Sequence, residues 1–228
     1  MTSTLADISA ELFGGPGERS KTLHCYNIYE TFFGLLRNDR INFFEVGVFN
    51  GESTKIFARY FVNGKIVGID HVLKEIDLKG FDNVTLFQGD QSDEAFMGGL
   101  ADEHFPGGID IVLDDASHIG SLSKRSFEIL FPRLKPGGIY VIEDWGTGYW
   151  NDWVDGGLYE IHGTQVFHQG ELPRRIPSHD YGMVGFVKHV VDIVGMSDNR
   201  PTYSSEQRVQ SPIKAMHVFP GTVVLQKM

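Results

Sequence analysis

Short apolar segments alternate with helical segments through most of this 228-residue chain, and this alternation constrains the fold more than any other feature. Each apolar segment is rich in β-branched and aromatic residues, and the segment that follows has apolar positions at helical spacing. Strands that alternate with helices form parallel sheets, because each helix carries the chain back across the sheet. The predicted strands are residues 43–48, 65–70, 84–87, 109–113 and 139–142.

The last part of the chain follows a different pattern. Residues 214–219 and 223–227 are two further strands joined by Pro220-Gly221-Thr222, which predicts an antiparallel hairpin. Pro136-Gly137-Gly138 is predicted to be a turn before the fifth strand. We therefore predict an α/β fold with a doubly wound, mostly parallel, seven-stranded sheet and a C-terminal antiparallel hairpin.

The length fits a single domain over residues 1–228. Residues 1–40 are predicted to be a helical N-terminal segment, broken near Gly14. A long polar and aromatic connection over residues 145–181 is predicted to be a substrate loop or lid, because such long loops in compact domains are usually functional or mobile. A helix is expected from about residue 182 to residue 194.

Composition limits the partners of the chain. Its formal net charge is −10, which argues against nucleic acid and anionic membrane surfaces as partners. No apolar run approaches the roughly 20 residues of a membrane helix. Cys25 is the one cysteine, so no disulfide forms within the chain and a reducing cytoplasm is the expected location. A small-molecule substrate is expected, and a homo-oligomer stays open.

Polar residues end two of the predicted strands. The segment 109–118 reads Ile-Asp-Ile-Val-Leu-Asp-Asp-Ala-Ser-His, and the segment 139–144 reads Ile-Tyr-Val-Ile-Glu-Asp. If these strands are neighbours, their ends lie about 4.8 Å apart, at the edge where open α/β sheets bind ligands. The acids that can then share one cation are Asp115, Glu143 and Asp144, with His118 close by. The alternative is a solvated strand end, with His118 as a capping or packing residue.

A glycine-containing turn follows the first strand. Glu45-Val46-Gly47-Val48-Phe49-Asn50-Gly51 opens the next helix, whose N-terminal amides can face a ligand. Asp70 ends the second strand and Asp90 follows the third. The glycine spacing is not that of dinucleotide-binding proteins, which disfavours an NAD-dependent oxidoreductase. The nearby acids favour a single-nucleoside ligand that carries positive charge.

These motifs together resemble a known family. Glu-x-Gly-x-x-x-Gly at residues 45–51, the acid at 70, Gly-Asp at 89–90 and Leu-Lys-Pro-Gly-Gly at 134–138 are similar to class I S-adenosylmethionine-dependent methyltransferases, from about residue 41 to the end. Residues 115–118 and 142–145, together with 178–188, resemble the metal-dependent sugar O-methyltransferases of the macrocin and mycinamicin type. Lys21, His24 and Tyr26 resemble an Asp-Lys…His-x-Tyr pattern of related sequences, although Ser20 replaces its acid.

The resemblance implies a Rossmann-like methyltransferase fold and a role for each matching residue. The residues implied to hold S-adenosylmethionine are Glu45, Gly47 and Gly51 on the methionine side, Asp70 at the ribose, Asp90 and Gln91 near the adenine, and Asp114 near the methionine portion. Asp115, Glu143 and Asp144 are implied to bind a divalent metal such as Mg²⁺, and His118 is implied to be the general base. The implied reaction is methylation of a sugar hydroxyl in a natural-product glycoside or an activated sugar.

Three alternatives stay open at this point. The acceptor can instead be a catechol or another small diol, since a diol chelates a metal in the same way. The chain can also be a scaffold that binds the cofactor without catalysis. The aromatic residues Trp145, Tyr149, Trp150 and Trp153 can stack on a sugar or can pack as a local core.

Overall fold

The computed structural model describes residues 3–14, 21–158, 180–196 and 210–228. These residues form one seven-stranded sheet with helices on both faces. The strands are β1 (Asn42–Val46), β2 (Lys65–Asp70), β3 (Val84–Gln88), β4 (Ile109–Asp114), β5 (Leu134–Glu143), β6 (Ile213–Phe219) and β7 (Thr222–Lys227). The helices are α1 (Leu5–Phe13), α2 (Leu23–Phe33), α3 (Glu52–Tyr60), α4 (Glu94–His104), α5 (Gly120–Leu130), α6 (Val154–Leu158) and α7 (Gly182–Gly195).

The strand order is β3-β2-β1-β4-β5-β7-β6. Strands β1 to β5 pair in parallel, and β7 lies antiparallel to both β5 and β6. The predicted fold class is therefore confirmed, including the C-terminal hairpin. Because β4 and β5 are neighbours, with Asp114 opposite Ile142, the two polar strand ends lie side by side.

Two apolar cores cover the two faces of the sheet. One face packs against α1, α2 and α3, where the ring of Phe33 contacts the rings of Phe43, Phe57 and Phe61. The other face packs against α4, α5 and α7, around residues such as Phe127. The sheet is thus covered on both sides, as parallel sheets require. None of the helices in the described part of the chain is both long and apolar enough to cross a membrane.

The prediction of a turn at Pro136-Gly137-Gly138 is wrong. These residues lie inside β5, which is ten residues long. Ile109 pairs with Leu134 and Ile111 pairs with Ile139, so the register shifts between the two pairs. The extra residues of β5 form an irregularity in the ladder. A proline is tolerated there because it does not have to donate a ladder hydrogen bond.

The connection after β5 begins with regular structure. Trp145–Tyr149 forms a 3₁₀ turn and α6 follows at Val154–Leu158. Residues 159–179 lie outside the described residues, so a lid over 145–181 stays a prediction. The predicted break at 14–17 is described only at Gly14, which adopts a left-handed backbone at the end of α1. Ser20 and residues 178–179 of the motif at 178–188 also lie outside the described residues, whereas its residues 182–188 lie within α7.

Asp155 of α6 joins the starts of two other helices. Its buried carboxylate oxygen Oδ2 accepts hydrogen bonds from the Gly120 amide at 2.7 Å and from the Met183 amide at 2.8 Å. These amides begin α5 and α7, whose own N-cap residues do not cap with their side chains in the described structure. A carboxylate at a helix N-terminus also interacts favourably with the helix dipole. Asp155 therefore anchors the helix that follows the polar end of β4.

We expect Asp155→Ala to lower the free energy of unfolding by about 2–4 kcal/mol, because two helix caps are lost at once. Urea unfolding followed by circular dichroism measures this loss. Asp152→Ala is the control, since Asp152 is exposed on the neighbouring turn and its removal should change stability by less than about 0.5 kcal/mol. Equal stabilities of the two variants would contradict this role of Asp155.

Candidate active site

Three side chains meet where β4 and β5 end. The imidazole Nε2 of His118 lies 3.8 Å from Asp115 Oδ1 and 3.6 Å from Asp144 Oδ2. One potential ligand atom from each residue lies within 4.8 Å of the other two. The two carboxylates can bind a divalent cation, since carboxylate oxygens are ligands that Mg²⁺ prefers, and the imidazole beside them can accept a proton as long as its nitrogen does not bind the cation. The structure thus brings together two of the three predicted metal ligands and the predicted base.

Glu143, the third predicted metal ligand, faces a different partner. Its Oε1 accepts a hydrogen bond from the Tyr29 hydroxyl and lies 2.6 Å from Lys21 Nζ. The same ammonium lies 2.6 Å from Asp115 Oδ2. Lys21 therefore bridges the two strand ends, and the two oxygens of Asp115 face opposite ways, one toward Lys21 and the other toward His118. The resemblance to related sequences includes Lys21 but assigned it no role. The sequence analysis did not identify Tyr29 as a residue of the site.

The pKa values of Lys21, Glu143 and Asp144 depend on burial and on the charges of their neighbours. Burial disfavours the ammonium of Lys21, but the charges of Asp115 and Glu143 outweigh it and hold the pKa of Lys21 well above its usual range. Burial and the charge of Asp115 raise the pKa of Glu143, against the opposing effect of Lys21. Burial also raises the pKa of Asp144, and His118 opposes that shift. The site is an acidic cluster with one internal counter-charge.

A cavity of about 280 Å³ lies beside this cluster, along the carboxyl ends of β1 to β4. The predicted cofactor residues that line it are Gly47, Asp70, Asp90 and Gln91. Gly47 has a φ of 96°, and a Cβ atom there would lie 2.3 Å from the Asp115 carbonyl oxygen. No other residue type fits such a position without moving the strand end. Gly47 therefore keeps the cavity and the acidic cluster in direct contact.

Three other predicted cofactor residues lie behind the cavity wall. Glu45 is fully buried and accepts hydrogen bonds from the hydroxyls of Ser53 and Thr54. Gly51 is the left-handed N-cap residue of α3, and Asp114 is buried at the end of β4. These residues can support the cavity wall, and direct contact with a ligand stays a prediction for each of them.

Asp70 holds the loop after β1 in place. Its Oδ2 accepts the amides of Val48 at 3.0 Å and Phe49 at 2.7 Å, and its Oδ1 accepts the amide of Val72 at 3.0 Å. Carboxylate oxygens can accept more than one hydrogen bond each, so the predicted contact with a ribose hydroxyl remains compatible with this role. The loop also carries a strained residue, because Phe49 has a φ of 52°.

A second cavity, of about 270 Å³, opens over the acidic cluster. Gly47 lines both cavities, and Lys21, Asp115 and Asp144 line this one. Phe49 also lines this cavity, and the residue is 64% exposed. The two cavities can therefore hold two molecules that meet near Gly47, one beside the strand ends and the other beside the acids.

The aromatic residues after β5 divide into anchored and exposed side chains. The indole nitrogen of Trp145 donates to the Phe219 carbonyl at 2.9 Å. The ring of Trp153 lies 5.9 Å from the imidazole of His118, whereas Trp150 is 52% exposed. Packing thus accounts for Trp145 and Trp153. A stacking role for Trp150 stays a prediction.

Comparison with known proteins agrees with this architecture. Residues 44–145 match a family model described as a methyltransferase domain. The mycinamicin VI 2''-O-methyltransferase of Micromonospora griseorubida is 37% identical over 131 residues, which are 54% of this chain and 31% of that protein. The demethylmacrocin O-methyltransferase of Streptomyces fradiae is 35% identical over 129 residues, 54% of this chain and 32% of that protein. The matched part of the chain spans about a third of the length of these relatives.

A solved structure matches nearly the whole chain. It is the MycE methyltransferase of the mycinamycin biosynthetic pathway, in complex with Mg, S-adenosylhomocysteine and mycinamycin VI. The TM-score is 0.72 and the identity 26%, over 98% of this chain and 53% of that chain. The fold is the Rossmann-like methyltransferase fold of that structure. Within that class, the predicted resemblance to the sugar O-methyltransferases of the macrocin and mycinamicin type is confirmed.

We expect Lys21→Met to lower the free energy of unfolding by about 3–5 kcal/mol, because the buried carboxylate of Glu143 and the partly buried carboxylate of Asp115 lose their shared counter-charge. Chemical denaturation measures this change. Lys124→Met is the control: Lys124 is 4.0 Å from Glu128 and both side chains are more than 40% exposed, so its loss should cost less than about 1 kcal/mol. Equal losses would show that the Lys21 contacts contribute no more than a surface pair.

Glu45 provides a prediction about pH. Burial raises its pKa from 4.5 to about 7, although the hydrogen bonds from Ser53 and Thr54 oppose the shift. Between these values the unfolded chain loses a proton that the folded protein keeps, so this group makes the folded state less stable as pH rises. The change is of order 3 kcal/mol. Glu45→Gln should therefore lose less stability than the wild type between pH 4.5 and 8.

Urea unfolding of both proteins at pH 4.5, 6 and 8 measures the difference. Other buried carboxyl groups, such as Asp114 with a pKa raised to about 8 by burial and by Asp115, affect both proteins equally and cancel. Glu128→Gln on the exposed face of α5 is the control and should keep the wild-type slope. Parallel curves for the wild type and Glu45→Gln would contradict the prediction.

Proposed function

We propose that this chain transfers a methyl group from S-adenosylmethionine to a sugar hydroxyl of a natural-product glycoside, with the help of a divalent cation such as Mg²⁺. One observation supports this proposal above the others: the group of Asp115, His118 and Asp144 lies beside a cavity of about 280 Å³. Gly47 lines both this cavity and the second cavity, which opens over the acidic cluster. The relatives that methylate sugars on antibiotics support the choice of acceptor.

The residues present fit both small molecules. Oxygen ligands from Asp115 and Asp144 suit a hard cation, and their excess negative charge provides the attraction. The cavity between the strand ends suits the donor, because Gly47 allows close approach and Asp70 and Asp90 lie where hydroxyl and amino groups need acceptors. The sulfonium of the donor is cationic, which matches the acidic surroundings.

Each residue of the cluster has a separate task in the proposed reaction. A bound Mg²⁺ would lower the pKa of a sugar hydroxyl in contact with it. Asp115 and Asp144 hold that position, and Lys21 limits the repulsion between Asp115 and Glu143. His118 Nε2 accepts the hydroxyl proton as the oxygen attacks the methyl carbon, the bond between that carbon and the sulfur breaks, and S-adenosylhomocysteine is the leaving group. The wall at Gly47 aligns the oxygen, the methyl carbon and the sulfur, which is the main remaining requirement of a methyl transfer.

The proposed function assigns no other partner. The expectations that the chain binds no nucleic acid and that it functions in the cytoplasm stay predictions, and a homo-oligomer stays open. A catechol acceptor also stays an alternative, because it offers the same pair of adjacent hydroxyls to a cation.

The experiment is a methyl-transfer screen with S-adenosylmethionine, using macrolide and polyketide glycosides that carry deoxysugars, with catechol as the competing acceptor class. We expect activity toward a glycoside with two adjacent hydroxyls, loss of that activity on chelation, and recovery with Mg²⁺. A matched glycoside with one of those hydroxyls removed should be a poor acceptor. Undiminished methyl transfer by the metal-free protein would refute the metal requirement. Methyl transfer to catechol alone would refute a sugar hydroxyl as the acceptor.

One variant at the site histidine and one at a surface histidine complete this experiment. His118→Ala should lower turnover about 10²–10⁴-fold, the usual effect of losing a general base, and should still bind S-adenosylhomocysteine. His217→Ala is the control, since His217 is exposed on the edge strand β6. Wild-type turnover in a folded His118→Ala protein would exclude His118 as the base.

A further inference from the structure

We infer that Thr147 is a positioning residue that couples the general base to the metal-binding acid in the proposed reaction. The Thr147 side chain is buried. Its hydroxyl lies 3.2 Å from the His118 carbonyl oxygen and 2.9 Å from the Asp144 carbonyl oxygen. The hydroxyl carries a single hydrogen, so both backbone carbonyls share it in a bifurcated hydrogen bond. The inference rests on the proposed function, because it assigns the two coupled residues their tasks.

The backbone geometry explains why such a donor matters. His118 and Asp144 both have a φ of 51°, in the left-handed region that side chains other than glycine rarely adopt. Strained residues of this kind persist only where their surroundings hold them. The shared hydroxyl contacts both of these residues. Because the side chains of His118 and Asp144 lie 3.6 Å apart, a small rotation at either backbone changes the distance between base and acid.

Trp153, which directly precedes α6, also contacts the backbone of His118. Its indole nitrogen donates to the His118 carbonyl at 3.0 Å, and its ring contacts the imidazole. The Asp144 carbonyl likewise has a second donor, the Thr147 amide at 3.0 Å. Each carbonyl therefore keeps one partner when the Thr147 hydroxyl is removed. Thr147→Val, which has nearly the same shape, should for this reason fold normally and lose the coupling alone.

The first measurement is the affinity for Mg²⁺ by titration calorimetry, with S-adenosylhomocysteine bound and no acceptor. We expect Thr147→Val to bind Mg²⁺ about tenfold more weakly, the lower end of the effect for residues that orient metal ligands. Thr147→Ser keeps the hydroxyl and should restore the wild-type affinity. Thr31→Val is the matched control, because the Thr31 hydroxyl also donates to a backbone carbonyl, at 2.9 Å, on the exposed face of α2.

The second measurement does not depend on metal, acceptor or turnover. Carbonyl ¹³C chemical shifts of His118 and Asp144 report their hydrogen bonds directly. We expect both shifts to move together in Thr147→Val and to return in Thr147→Ser. In Trp153→Phe, which keeps a ring but loses the indole donor, the His118 shift alone should move.

The outcomes separate this inference from the function on which it rests. If the wild type fails to bind Mg²⁺, the metal in the proposed function is wrong, and the carbonyl shifts still decide the role of Thr147. If Thr147→Val binds Mg²⁺ as the wild type does, or if Thr147→Ser is as weak as Thr147→Val, the coupling by the hydroxyl is refuted. Unchanged carbonyl shifts in Thr147→Val would refute it as well.

Discussion

Repulsion between carboxylates is the constraint on which the rest of this structure depends. Asp115 follows β4 and Glu143 ends the neighbouring strand β5. Glu143 is buried and Asp115 is partly buried, so solvent screens their charges less than it would at an open surface. The ammonium of Lys21 offsets that repulsion. It precedes α2, whose residue Tyr29 also contacts Glu143. The N-terminal helices therefore do more than cover one face of the sheet, because they also neutralise the acidic strand end.

The fold could be predicted because its signals are local. Each strand is a short apolar run, and each crossover helix has its own apolar spacing, so the alternation alone indicated a parallel sheet. The failure at Pro136-Gly137-Gly138 has a physical reason. Proline and glycine favour a turn in isolation, but here the pairing of β5 with β4 on both sides of the segment holds it in the strand. That pairing joins residues far apart in the sequence.

The site was predictable only in part, for a related reason. Asp115, His118 and Asp144 lie within a few residues of the ends of apolar strands, so their location at one edge of the sheet follows from the topology. The contact between Lys21 and Glu143 depends on how α2 packs against the sheet, which no local pattern specifies. Thr147 carries no motif at all, since a threonine in a short connection is ordinary. Its importance arises from two backbone carbonyls that only the folded chain brings together.

The position of β7 has a consequence for the order in which the molecule assembles. This strand follows all the other described strands in the sequence, yet it lies between β5 and β6 and pairs Thr222 with Glu143. During synthesis on the ribosome, the parallel strands can associate first, while the outer edge of β5 still lacks its neighbour. Such an unpaired edge attracts other chains. Pairing of β7 with β5 covers this edge in the folded protein.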